Sequence, residues 1–95
     1  MTAYNFYSDP GHGWLEVPKT KILELGIEHK ISTCSYTNTN SVFLEEDCDV
    51  NVFLQALSEE ERSSIKFREF FSNHESRIRN YPEYNPKNVK KVRTV

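Results

Sequence analysis

Apolar and polar positions alternate or recur in a way that predicts a compact run of short elements. Ala3-Tyr4-Asn5-Phe6-Tyr7 is rich in β-forming residues and reads as a strand. The dense turn signal Ser8-Asp9-Pro10-Gly11-His12-Gly13 follows, and Trp14-Leu15-Glu16-Val17 returns as a second strand. Pro18 is suited to open a helix because its missing N–H has no partner there. Ile22, Leu23 and Leu25 give that helix its apolar contacts, and Gly26 stands where a left-handed C-cap is expected, with Ile27 closing over it. Lys30 to Thr37 alternates like a strand, Asn38-Thr39-Asn40 makes a hairpin turn, and Ser41-Val42-Phe43-Leu44 returns as a strand apolar enough for the middle of a sheet. Asp49 is placed to cap a helix whose Val50, Phe53, Leu54 and Leu57 share one face. Ser58 with Glu61 forms a capping-box pattern. Ser64 to Phe71 fits either period: a strand puts Ile65, Phe67 and Phe71 on one side, a helix gathers Phe67, Phe70 and Phe71, and the strand is favoured. The order predicts an α+β fold, a small, mostly antiparallel sheet of four to five strands with two helices on one face.

Composition narrows the class. Apolar residues are 37% of the chain and aromatics 13%, so the core must lean on Phe and Tyr. Ninety-five residues make one domain, with depth for a groove more readily than for a closed cavity. No apolar run approaches the roughly 20 residues that span a bilayer, and Met1 to Tyr7 lacks the features of a signal peptide. Two cysteines, Cys34 and Cys48, are too few for a disulfide scaffold and fit no zinc spacing. They are expected to be reduced, buried structural thiols of a cytoplasmic protein. The net charge is −2, from 12 Lys/Arg against 14 Asp/Glu. Four of those cations, Lys87, Lys90, Lys91 and Arg93, lie in residues 85–95. Residues 1–84 therefore read as an acidic compact domain, and 85–95 as a basic, poorly ordered tail. Such a tail is more often solvated than bound to a polyanion, so nucleic acid is not the expected partner.

Three clusters could carry chemistry. In Tyr7-Ser8-Asp9-Pro10-Gly11-His12-Gly13-Trp14 the glycines allow close backbone approach, Ser8, Asp9 and His12 can hydrogen-bond, and Tyr7 and Trp14 could stack on a planar ring. The same residues also suit a plain hairpin turn capped by Asp9, with Trp14 in the core. Glu45, Glu46, Asp47 and Asp49 could take sugar hydroxyls or a hard cation. The EF-hand spacing and its glycine are missing, so helix-terminal charge competes with both and no metal is expected. Arg77 and Arg79 would share a face of an extended segment and could grip a diphosphate, with Tyr81 closing over it. His12 has no indicated nucleophile beside it, which favours a binder over an enzyme and calls for no cofactor.

The stretches Tyr7 to Pro18, Leu25-Gly26-Ile27, Val42 to Asp49 with Phe53-Leu54, and Arg77 to Tyr81 together resemble a family of short uncharacterised proteins of bacteriophages and mobile elements. The resemblance implies an accessory protein acting in the cytoplasm of an infected bacterial host. By analogy it implies a non-enzymatic sponge that sequesters a host immune nucleotide signal, an ADP-ribose derivative or a cyclic dinucleotide. Tyr7, Trp14 and Tyr81 would contact rings, Ser8, Asp9 and His12 would hydrogen-bond, Arg77 and Arg79 would hold phosphates, and Glu45 to Asp47 would take sugar hydroxyls. A subunit interface would supply depth, so a homo-oligomer is expected. The alternatives are an acidic protein–protein inhibitor of a host defence or nucleic-acid enzyme, and a small hydrolase or nuclease using His12 and the 45–49 cluster.

Overall fold

The computed structural model describes residues 2–89. Five strands, β1 (Ala3–Ser8), β2 (Gly13–Pro18), β3 (Tyr36–Thr37), β4 (Ser41–Glu45) and β5 (Lys66–Phe71), form one sheet in the order β3-β4-β2-β1-β5. Three of the pairings are antiparallel, while β1 and β5 run parallel from Ala3↔Lys66 to Ser8↔Phe71. The α+β reading holds, with a mixed sheet. Four short helices accompany it: α1 (Lys19–Leu25), α2 (Val50–Ala56), α3 (Glu59–Ser64) and α4 (Pro86–Val89). A 3-10 turn covers Arg77–Asn80.

Strand alternation sorts side chains onto two faces. Tyr4, Leu15, Val17, Val42 and Leu44 meet Ile22 of α1 and Phe53 of α2 in the main core. Trp14, Phe43 and Ile78 form a second cluster on the opposite face, flanked by Tyr7, Tyr36 and Tyr81. Helices therefore cover one face, and the segment through the 3-10 turn partly roofs the other.

Local signals explain most ends. Gly26 adopts φ 69°, a left-handed cap, and the Ile27 N–H closes onto Ile22 O at 3.3 Å. Ser58 and Glu61 form the reciprocal capping box at α3. Asn38 Oδ1 accepts from the N–H groups of Asn40 and Ser41, which fixes the β3–β4 turn.

Four expectations are corrected. Residues 30–35 are loop and turn, because Asp49 claims them: its carboxylate accepts from Ser32 N, Ser32 Oγ and Ser35 Oγ. Asp49 thus precedes α2 without capping it through its side chain. Cys34 and Cys48 are exposed rather than buried. Of the basic segment, 85–89 joins the fold, since α4 buries Val89 and its Asn88 carbonyl accepts from Lys19 Nζ at 3.3 Å. Residues 90–95 lie outside the described residues. No helix among the described residues is long and apolar enough to cross a membrane.

Candidate functional site

The glycine-rich loop is a structural joint. Asp9 is buried, and its Oδ1 accepts from Gly11 N and His12 N, both at 2.9 Å. Its Oδ2 accepts from Ser76 N and Arg79 Nε, both at 2.8 Å, and Arg79 Nη2 reaches Oδ1 at 2.9 Å. The Arg79 guanidinium, helped by those backbone N–H groups against the cost of burial, holds the Asp9 carboxyl far below the usual range. A Cβ on Gly11 would stand 2.8 Å from Arg79 Nη2, so a larger residue there would push the guanidinium off its place on Asp9. The guanidinium also lies 5.4 Å from the centre of the Trp14 ring.

This geometry revises the expected ligand set. Trp14 is 1% exposed, so it offers no face for stacking a ligand. Its indole N–H has no hydrogen-bond partner among the described residues. Ser8 acts through its backbone carbonyl, which accepts from Ser72 N. Arg77 and Arg79 do not form one fork. The segment is a 3-10 turn of about three residues per circuit, so side chains two apart point to different sides. Arg79 is spent on Asp9, whereas Arg77 is exposed and has no ion pair among the described residues.

The acidic cluster also divides. Glu45 is buried and accepts from the N–H groups of Asp47 and Cys48 through Oε1. Burial pushes its carboxyl up, but His12 and those two N–H groups outweigh it and the net shift is down. An ionised carboxylate only accepts, so the 3.0 Å contact between His12 Nδ1 and Glu45 Oε2 is an Nδ1–H donor. Asp49 is turned inward to the serines, while Glu46 and Asp47 face solvent. No cluster of three or more potential metal ligands occurs among the described residues.

Two hollows result on this side of the sheet. The larger, about 670 Å³, is a groove whose lining includes Tyr7, Glu16, Asn38, Phe43, Arg77 and Tyr81. The smaller, about 320 Å³, has His12, Trp14, Tyr36, Glu45, Asp47 and Arg79 around it, together with both cysteines. The residues singled out from the sequence are thus split: Tyr7, Arg77 and Tyr81 in the groove, and His12, Trp14, Glu45, Asp47 and Arg79 at the pocket. A further hollow of about 540 Å³, bordered by Lys21, Glu24 and Arg68, contains none of them.

The groove has an aromatic floor. Phe43 sits 5.2 Å from Tyr81 and 6.2 Å from Tyr7, whose other neighbour is Phe70, stacked at 5.3 Å. Glu16 Oε1 accepts from the Tyr7 hydroxyl at 3.2 Å and Oε2 from Ser41 Oγ at 2.7 Å, leaving each oxygen a further lone pair. Glu16, Asn38 and Phe43 were not identified from sequence. The signal was the strand period itself, which puts Glu16 on the face of Trp14. Compared with known proteins, the chain matches no family model, and no curated protein or solved structure matches it.

Proposed function

We propose that this chain is a non-catalytic binding protein whose ligand, a nucleotide, lies in the groove between the open sheet face and the Arg77–Tyr81 segment. The observation that carries the reading is the meeting of Tyr7, Phe43 and Tyr81 with Arg77, which has no ion pair among the described residues, in one concavity of about 670 Å³. That size suits a small organic ligand. A base would lie against the tyrosines, Glu16 and Asn38 would take sugar hydroxyls, and Arg77 would grip a phosphate. In the setting that the phage-protein resemblance implies, such binding sequesters a host immune nucleotide in the cytoplasm of the infected cell.

Binding is favoured over hydrolysis by how the reactive groups are used. Asp9 and Glu45 are occupied with backbone and cationic partners. The Cys48 thiol is pushed up to about 12 by Cys34, then by burial and Glu45, so it offers no ready thiolate to open a hydrolytic attack.

One arginine per groove suits one phosphate. A cyclic dinucleotide carries two, and pairing of two copies along β5 would supply the second arginine. Lys66 N bonds Thr2 O and Ser72 N bonds Ser8 O, so alternation turns the N–H groups of Phe67, Glu69 and Phe71 outward. Phe67, Phe70 and Phe71 are 46%, 48% and 69% exposed along that edge. A twofold β5–β5 pair keeps both grooves on one face, with the two β1 strands about 14 Å apart at ordinary strand spacing.

The test is a thermal-shift panel of cyclic dinucleotides, ADP-ribose and AMP, followed by heat release and chromatography of the bound molecule. A ligand at 100 times its dissociation constant adds about 2.7 kcal/mol. The reading requires a shift with the nucleotide recovered intact. No shift across the panel, or a chemically altered nucleotide, rejects it.

A further inference from the structure

Cys34 and Cys48 are brought together by a buried network that the nucleotide groove does not use. Asp49, 2% exposed, holds Ser32 and Ser35, the residues that bracket Cys34. Ser35, fully buried, returns the tie by accepting from Glu45 N at 2.9 Å through its hydroxyl. Ser32 Oγ also accepts from Cys34 N at 3.1 Å. The 32–35 loop is thereby fixed against the turn that carries Cys48. Both thiols are free and exposed, and both line the pocket of about 320 Å³ beside His12 and Trp14.

We propose that Cys34 and Cys48 form a reversible dithiol–disulfide site on the rim of this pocket, oxidised by peroxides. The first sulfur to react is that of Cys34. The two cysteines lie on turns tied through Asp49 and Ser35 and line the same pocket, and Cys34, with burial and Glu45, pushes the Cys48 thiol up to about 12. As a thiolate, Cys34 attacks one oxygen of hydrogen peroxide. The O–O bond breaks and the other oxygen leaves as water after taking up a proton. The sulfenic acid on Cys34 is then attacked by the Cys48 sulfur. The S–O bond breaks, and the hydroxyl departs with the Cys48 proton as a second water. Two thiols are oxidised to one disulfide and one peroxide is reduced to two waters. The new bond ties the 32–35 loop to the β4–α2 turn across the mouth of the pocket.

The experiment treats the full chain with hydrogen peroxide and reads intact mass, thiol count and mobility on a non-reducing gel. The expected product is a monomeric chain lighter by two hydrogens, with no alkylatable thiol, restored by dithiothreitol. Cys34→Ser and Cys48→Ser each abolish that product. Oxygen addition to a single cysteine, retention of both thiols, or disulfides between chains would overturn the proposal. A second measurement guards against a misfolded variant. Phenylarsine oxide, which bridges neighbouring thiols, should bind the untreated chain one to one and block its loss of hydrogens. If the untreated chain does not retain the arsenical, the two sulfurs do not act as a pair.

Discussion

Arg77 and Arg79 differ by two positions and by everything that decides their work. Arg79 holds the Asp9 joint, while Arg77 lines the groove with no ion pair among the described residues. Arg77→Ala should therefore weaken nucleotide binding about ten-fold to more than a hundred-fold at unchanged melting temperature. Arg79→Ala should lower the melting temperature first. Titration calorimetry beside thermal unfolding separates the two, and equal loss of binding in stable proteins would restore the two-arginine fork. Asp9 adds a pH dependence of known sign. Its folded pKa is depressed, so its contribution is present above the unfolded value of about 3.9 and is lost as pH falls toward the folded one. Glu45 acts in the same direction. Urea midpoints should fall on acidification below about pH 4, and Asp9→Asn should flatten that slope while lowering stability at neutral pH.

Elements whose determinants are local were legible from sequence, and those whose partners are distant were not. Pro18 and Gly26 bracket α1 by themselves, and Ser58 with Glu61 starts α3. Ser58→Ala should cost about 1 kcal/mol of stability, measured by urea unfolding. Residues 30–35 carry a strand's alternation, yet Asp49 binds two of the serines and bends them away from the sheet. Nothing near Lys66–Phe71 announces a parallel partner at Ala3–Ser8, because register is set by tertiary contact. The site follows the same rule. Tyr7, Arg77 and Tyr81 were identified by residue type, but the role of Arg79 depended on a carboxylate 70 positions away. The free edge of β5 yields its own prediction. Glu69→Pro removes an outward N–H and spares the bonds to β1, a substitution that edge strands accept. Sedimentation should show paired copies for the parent and single chains for the variant, with circular dichroism unchanged. A parent that sediments as a single chain at micromolar concentration refutes pairing.

For the whole molecule, two clusters on opposite faces of one sheet separate what holds the fold from what shapes the groove. The helix-covered face contains most of the buried apolar side chains, and the other has Trp14, Phe43 and Ile78. A consequence lies in the order of synthesis. β1 and β2 leave the ribosome as neighbours and can pair at once, but β1 must keep its other edge vacant until residues 66–71 emerge. Contacts so far apart in sequence form slowly. The groove wall comes later still, when Arg79 reaches back to Asp9. Ligand competence should therefore appear last during translation. Nascent chains stalled before Arg77 has left the exit tunnel should resist protease across the early hairpin yet retain no nucleotide, and those released past Val89 should retain it.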